Sequence, residues 1–145
     1  MKGVYVLILR LHKETVIRVG KLGKFSFKEG YYAYVGSALG TGGFKRVTRH
    51  FDVASGKNAT RKWHIDYLLP HSEVVRALLI PTDESIECST ARAVGEFCTG
   101  IEDFGCSDCS CHAHLFFSGT DLSESVATTC NKLTGIESII TGNAI

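Results

Sequence analysis

A short basic helix after a glycine-rich turn carries the first residues that could do chemistry. In a helix over Gly42 to Phe51, Arg46 and His50 lie four residues apart on one face, where a guanidinium and an imidazole can reach the same phosphate. Lys45 and Arg49 add positive charge beside this pair, roughly opposite the apolar stripe of the helix. The glycine-rich turn and the helix N-terminus also favour an anion. A solvated basic face on a core helix explains the same pattern.

Glu87 is the candidate metal ligand. The sequence predicts a helix over Glu84 to Cys98 with Asp83 as its N-cap, and Glu87 falls inside the apolar arc of this helix. An inward carboxylate is costly unless a cation, a metal or several donors meet it. A single Mg²⁺ held by one or two carboxylates and several waters fits this position. The alternative is an acid in the first turn, stabilised by the helix dipole.

A cluster of cysteines and histidines lies late in the chain, at Cys106, Cys109, Cys111 and His114. Such a cluster suggests zinc, but only one Cys-x2-Cys spacing is present and the ligands crowd together, so we do not expect zinc here. The competing explanations are buried free thiols or a disulfide with one of the cysteines elsewhere, Cys88, Cys98 or Cys130.

Length and charge bound the class of protein. The 145 residues suit one domain with its own core. Residues 1–64 hold thirteen Lys and Arg against three acids, a balance of +10, whereas residues 65–145 hold three against twelve, a balance of −9. The basic half suggests a polyanionic partner such as nucleic acid, unless the two halves neutralise each other in the fold. The apolar run Val4 to Leu9 is too short to span a bilayer and no signal sequence follows it, so we expect a cytoplasmic protein without a membrane partner.

Apolar and turn patterns predict the elements that position these residues. Gly3 to Leu11 is a nearly continuous apolar run, typical of a strand buried on both faces. Short strands at Thr15 to Val19 and Lys24 to Phe27 predict a β-meander that ends in Tyr31 to Gly36. Helices and strands then alternate: the basic helix, a helical segment over Lys62 to Leu69, a strand over Glu73 to Ile80, the helix with Glu87, a strand over His114 to Phe117, a helix over Asp121 to Leu133 and a weak strand over Ile136 to Thr141. This order predicts an α/β or α+β fold with a mixed, mainly antiparallel sheet flanked by helices.

The chain also resembles a known superfamily. Gly3-Val4-Tyr5 opens the first strand, Tyr34-Val35-Gly36 closes the fourth, and the helix FKRVTRHF follows, in an order similar to that of the GIY-YIG nucleases. The segments WHIDYL and GCSDCSCHAHLF further resemble a small, largely archaeal branch of that superfamily, labelled only as a domain of unknown function. With these segments the resemblance covers most of the chain. It implies a GIY-YIG-like fold over residues 1–145, in which the two tyrosine strands pair and feed a helix with an essential arginine.

What the resemblance implies is a metal-dependent endonuclease that hydrolyses phosphodiester bonds in DNA rather than RNA. In that mechanism Tyr5 and Tyr34 position or deprotonate a water, Arg46 and His50 hold the scissile phosphate, and Glu87 carries Mg²⁺ or Mn²⁺. We assign five further basic residues to binding of the nucleic-acid backbone: Lys45, Arg49, Arg61, Lys62 and His64. A phenol titrates at about 10 when unperturbed, so a tyrosine base needs a nearby cation or metal that lowers its pKa.

Two features depart from the superfamily pattern. Tyr5 and Tyr34 are further apart in sequence than is usual, and we attribute the excess to an extra hairpin over Thr15 to Phe27 that lengthens the sheet. The superfamily also tends to supply an asparagine late in the domain, where this chain offers Asp108, His112 and His114. A catalytically inactive nucleic-acid-binding module on the same fold is therefore the alternative function. A zinc-stabilised or redox-sensing protein built on the cysteine cluster is a third.

Overall fold

The computed structural model describes residues 2–101, 104 and 113–135, together with the backbone of Ile139–Thr141. Its strands are β1 Gly3–Leu11, β2 Thr15–Arg18, β3 Lys24–Phe27, β4 Gly30–Ala38, β5 Glu73–Pro81, β6 Thr99–Gly100, β7 Leu115–Ser118 and β8 Ile139–Thr141. Its helices are α1 Lys45–Ser55, α2 Ile65–Leu68, α3 Glu87–Gly95 and α4 Ser123–Thr134. No helix in the described part of the chain has the length and apolar character that crossing a bilayer requires.

A six-stranded sheet in the order β6-β7-β4-β1-β5-β8 organises the fold. Every pairing between its described strands is antiparallel. Strand β1 lies between β4 and β5, with Tyr5 opposite Gly36 on one side and Leu79 on the other. The predicted α+β class, with a mainly antiparallel sheet flanked by helices, is confirmed.

The apolar run of β1 is buried on both faces, as its sequence predicts. Because side chains alternate along a strand, Tyr5, Leu7 and Leu9 enter one core with residues from α1 and α2. Val4, Val6 and Ile8 enter a second core with residues from α3 and α4. The sheet is therefore a middle layer, and the tyrosine face of β1 is the face that α1 covers.

The predicted β-meander is wrong. Strands β2 and β3 pair only with each other and form a separate two-stranded sheet, so the hairpin does not lengthen the main sheet. Strand β1 instead pairs directly with β4 along its whole length. Ile17 and Phe27 of the hairpin pack into the first core. The hairpin is thus an insertion in the sequence between β1 and β4, which pair directly with each other. It therefore leaves the two tyrosines close together.

The helix boundaries also differ from expectation. Helix α3 begins at Glu87, three residues later than predicted, because the hydroxyl of Thr82 accepts a hydrogen bond from the backbone N–H of Glu84 and holds that turn outside the helix. The helix ends at Gly95, so Phe97, which falls within the predicted range, lies beyond the helix and is 43% exposed. Helix α1 begins at Lys45 rather than Gly42.

Candidate active site

Two tyrosines from adjacent strands meet on the α1 face of the sheet. The β1–β4 register places Tyr34 opposite Leu7, one diagonal step from Tyr5, and the two ring centroids are 6.5 Å apart. Gly36, directly opposite Tyr5, makes room for the Tyr5 ring. A Cβ at position 36 would stand 2.3 Å from both Cζ and Oη of Tyr5. The glycine of the Tyr34-Val35-Gly36 motif therefore makes room for Tyr5 on β1 and not for the tyrosine of its own strand.

His50 is buried against the hydroxyl of Tyr5. Its Nε2 lies 2.7 Å from Tyr5 Oη, and its side chain is 1% exposed. The imidazole also packs near Tyr34 and Trp63, with ring centroids 6.1 Å away in each case. The expectation that His50 projects from the polar face of the basic helix is wrong, because the buried stripe of α1 is Val47, His50 and Val53. Arg46 shares this turn of the helix with His50 but stays half-buried at its rim.

Both members of the Tyr5–His50 pair are held in their neutral forms. Burial, reinforced by the charges of Arg49 and Arg46 and opposed by Asp66, lowers the pKa of His50 to about 4. Burial also raises the pKa of Tyr5 well above its ordinary value, and the negative charges of Tyr34, Glu87 and Asp66 outweigh the opposite effect of Arg46. The Nδ1 of His50 finds no hydrogen-bond partner among the described residues.

Arg46 is oriented by a backbone carbonyl and an indole. Its Nη1 donates a hydrogen bond of 2.7 Å to the carbonyl oxygen of Ser37, the residue after Gly36, and its guanidinium carbon lies 4.8 Å from the centroid of Trp63. These contacts hold the guanidinium beside the end of β4, where its charge reaches the Tyr5 hydroxyl. A planar cation with several N–H donors, fixed in this way, suits a phosphate.

Trp63 joins three cations into one cluster. Besides Arg46, the guanidinium carbon of Arg49 lies 4.5 Å and the Nζ of Lys62 4.7 Å from the indole centroid. Contacts of this kind are favourable because the aromatic face carries partial negative charge. In the sequence, Trp63 stands out only as part of the segment WHIDYL. Its position between basic residues of two segments depends on packing that sequence spacing does not reveal.

Arg49 has a structural partner that the sequence did not identify. Its guanidinium forms two parallel hydrogen bonds of 2.9 Å with the carboxylate of Asp66, which is fully buried. Burial raises the pKa of Asp66, but hydrogen bonds from Arg49 and from the backbone N–H groups of Trp63 and Lys62 outweigh it and hold the pKa below its ordinary value. Arg49 therefore ties α2 to α1, and the charge expected for nucleic-acid binding is taken up inside the protein.

The other predicted nucleic-acid-binding residues occupy the surface around this cluster. Lys45, Arg61 and Lys62 are exposed, and Arg61 donates a hydrogen bond of 3.3 Å to the carbonyl of Thr60. His64 is half-buried, with its ring 5.8 Å from that of Phe104. Lysine and arginine in this group can reach a polyanion, whereas His64 belongs largely to the core.

Glu87 lies at the first residue of α3, beside His114 and Cys88. Its Oε2 is 3.7 Å from His114 Nδ1, and Cys88 Sγ is 4.0 Å from His114 Nε2. The Glu87 side chain is 29% exposed, so the expected inward direction is only partial. Its charge nevertheless acts on the Tyr5 hydroxyl. Cys88 follows Glu87 directly in the sequence, but only the fold brings His114 to them.

The structure brings most of the residues expected at the catalytic centre into one network. Tyr5, Tyr34, Arg46 and His50 form one contact network around Trp63, and Glu87 is linked to it by charge. The candidate zinc ligands Cys106, Cys109 and Cys111, with Asp108 and His112, lie outside the described residues, whereas His114 lies within them.

Comparison with known proteins identifies a family. Neither the curated proteins nor the solved structures gave a match. A family model, described as a domain of unknown function, matches residues 4–135, a range that includes β1, the basic helix, Glu87 and His114. The chain therefore belongs to the family described as Domain of unknown function DUF123.

Proposed function

We propose that this chain is a metal-dependent nuclease of the GIY-YIG type that hydrolyses phosphodiester bonds in DNA. The observation that carries the proposal is the buried hydrogen bond between Tyr5 and His50, with the charges of Arg46 and Glu87 both acting on the same phenol. The antiparallel pairing of the strands that carry Tyr5 and Tyr34 is also the pairing that a GIY-YIG centre requires.

Arg46 would bind the scissile phosphate. The Ser37 carbonyl engages one N–H of its guanidinium, and the Trp63 face supports its plane, which leaves other donors directed at a ligand. A guanidinium held in advance stabilises the negative charge that develops on phosphate oxygens during hydrolysis and pays no reorganisation cost at that moment. Lys62 adds charge from the same indole and, being exposed, would contact the nucleic-acid backbone.

Tyr5 would position a water or a phosphate oxygen rather than act as the base on its own. Moving its proton to His50 would take the proton from a phenol whose pKa lies above about 10 to an imidazole whose pKa is about 4. Both shifts oppose this transfer, so it is strongly unfavourable. The neutral pair instead supplies a fixed hydroxyl, with His50 as the group that sets its direction and Tyr34 beside it.

Glu87 would hold the metal ion that the family resemblance implies. Its carboxylate supplies the hard oxygen ligand that Mg²⁺ and Mn²⁺ accept, and its partial exposure leaves room for waters. Such an ion, when bound, stabilises charge on the attacking and leaving oxygens.

The test is cleavage of duplex, flapped and branched DNA with and without Mg²⁺ or Mn²⁺. We expect Arg46→Ala to lower the cleavage rate by roughly 100- to 1000-fold, the usual cost of removing one transition-state donor. Glu87→Gln keeps the size of the side chain but removes its charge, and is expected to abolish metal-dependent cleavage. Matched controls are Arg92→Ala and Glu96→Gln, two exposed residues of the α3 region, which should cleave like the unaltered protein. Cleavage activity that survives both Arg46→Ala and Glu87→Gln would refute the site assignment.

A nucleic-acid-binding module without catalysis is the second candidate. The observation that favours it is the neutral resting state of Tyr5 and His50, since neither is poised to accept a proton at neutral pH. This function predicts DNA binding that weakens steeply with salt, because Lys and Arg displace counterions from phosphates. Binding would be insensitive to Glu87→Gln, and no metal would support cleavage of any of the three DNA structures.

A further inference from the structure

We propose that Glu87, Cys88 and His114 form a binding site for a divalent transition metal ion of the Zn²⁺ class. One ligand atom from each of the three residues lies within 4.8 Å of the other two. The site shares Glu87 with the proposed nuclease centre, but it goes beyond that function because metal binding needs neither DNA nor catalysis. It differs from the zinc cluster considered in the sequence, with which it has only His114 in common.

The hydrogen bonding of His114 prepares one ring nitrogen for a metal. Its Nδ1 donates a hydrogen bond of 3.2 Å to the carbonyl oxygen of Val35, which fixes the proton on Nδ1. Nε2 then carries the lone pair of the ring, on the side where Cys88 Sγ lies 4.0 Å away. A backbone carbonyl that orients a histidine in this way is the usual support for a metal-bound imidazole.

The separations are close to those that a bound ion needs. Zinc lies about 2.0–2.3 Å from nitrogen, oxygen and sulfur ligands, so two ligands of a tetrahedral site are roughly 3.5 Å apart. The distance from His114 Nε2 to Cys88 Sγ, 4.0 Å, exceeds this by about half an ångström. Glu87 Oε2 lies 3.7 Å from the other ring nitrogen, Nδ1, so its side chain must turn toward Nε2 to share an ion with Cys88. Glu87 and Cys88 are both partly exposed, and their side chains can rotate while His114 stays fixed.

The backbone around His114 is anchored on both sides. Its carbonyl accepts a hydrogen bond of 2.8 Å from the Val35 N–H, and its own N–H donates one of 2.9 Å to the Phe104 carbonyl. The imidazole is 2% exposed. Glu87 and Cys88 come from a different element, the first turn of α3. The site thus joins a buried, fixed ligand that immediately precedes β7 to two partly exposed ligands from a helix, and solvent can reach the ion from the helix side.

The donor set selects the class of metal. Thiolate and imidazole ligands suit Zn²⁺ and Co²⁺, whereas Mg²⁺ and Ca²⁺ take oxygen ligands. Among the described residues, three ligands of mixed sulfur, nitrogen and oxygen type fill three positions of a tetrahedral ion. Binding requires the Cys88 thiol to lose its proton, so each bound ion releases one proton from this residue.

The test is a titration of chelator-treated protein with Co²⁺, followed by displacement with Zn²⁺, in the absence of nucleic acid. A cobalt–thiolate bond gives a charge-transfer band in the near ultraviolet, and we expect this band to saturate at one equivalent for this site. Cys88→Ser should abolish the band and weaken Zn²⁺ binding by on the order of 100-fold or more. His114→Gln should weaken binding as well, and circular dichroism checks that each variant is folded.

Two further variants make the outcome decisive. Cys98→Ser removes another partly exposed thiol, outside the proposed site, and should leave the band unchanged. A protein in which Cys106, Cys109 and Cys111 are all replaced by serine should also retain one equivalent. The proposal is overturned if the unaltered protein gives no thiolate band, if the band survives Cys88→Ser, or if it disappears with the three late cysteines. DNA cleavage that fails while cobalt binding succeeds would refute the nuclease alone.

Discussion

Replacing Gly36 by alanine should disrupt the packing of Tyr5 and lower the stability of the whole protein. The new Cβ would lie 2.3 Å from Cζ and Oη of Tyr5, whereas two carbon atoms in good contact are about 3.5–4.0 Å apart. The ring must therefore move by more than about 1 Å. It is 1% exposed and packs against His50, so it has no solvent to move into.

The magnitude follows from two costs. Overpacking a core costs roughly 1–3 kcal/mol. If the ring swings away from His50, both partners lose a buried hydrogen bond, which adds about 1–3 kcal/mol. We therefore expect Gly36→Ala to lower the free energy of unfolding by about 2–5 kcal/mol, a large part of a typical total of roughly 5–15 kcal/mol.

Urea denaturation measures this change, and Gly40→Ala is the matched control. A Cβ at Gly40 would meet nothing within 4 Å among the described residues, so that variant should differ by less than about 0.5 kcal/mol. A double variant with Tyr5→Leu identifies the clash, because without the ring the added methyl group should cost much less than it does alone. Equal stability of Gly36→Ala and Gly40→Ala would refute the packing account, as would strict additivity with Tyr5→Leu.

Two more predictions concern charge. The pKa of His50 is lowered to about 4, whereas a histidine in the unfolded chain titrates at about 6.5, so the contribution of His50 to stability should be complete above pH 6.5. As the pH falls from about 6.5 to 4, only the unfolded chain binds the proton, and the free energy of unfolding should decrease by on the order of 3 kcal/mol. Urea midpoints across this range should fall less steeply for His50→Gln, and parallel curves would contradict the prediction. Asp66 has a lowered pKa, so its contribution is present above about pH 3.9 and is lost as the pH falls further. At neutral pH, Asp66→Asn should lower the free energy of unfolding by about 3–5 kcal/mol because it leaves Arg49 without its buried partner. Thermal unfolding should show no such loss for the exposed Asp83→Asn, and equal melting temperatures for the two variants would argue against the ion pair.

The parts of the fold that sequence predicts best are those set by local pattern. The apolar run of β1, the alternation in β4 and the helical period after the glycine turn each depend on neighbours in the sequence. They give the element types and the α+β class, whereas the proximity of Tyr5 to Tyr34 was implied by the family resemblance. The pairing of β1 with β4 across an inserted hairpin depends on which strand edges meet in space, and local pattern wrongly predicted a continuous meander.

The site was harder to predict because its key contacts join polar side chains that patterns assign to the surface. A helical wheel treats His50 as a polar residue. Its hydrogen bond to Tyr5 nevertheless offsets the cost of burying it. Arg49 was grouped with cations available to a ligand, since nothing in the spacing indicates that Asp66 faces it. The approach of His114 to Glu87 and Cys88 likewise depends on how a late strand packs against a helix encoded well before it.

The strand that carries Tyr5 and the helix that carries Glu87 differ in how easily they open locally. Strand β1 has a hydrogen-bonded neighbour on each side, so its amides can exchange with solvent only when the sheet itself comes apart. Glu87 and Cys88 instead occupy the first turn of a nine-residue helix whose N-cap residue, Ile86, makes no side-chain capping bond. This turn can open locally while β1 stays paired. Tyr5 is thus held for as long as the sheet persists, whereas the Glu87 carboxylate and the Cys88 thiol can change position many times while the protein stays folded.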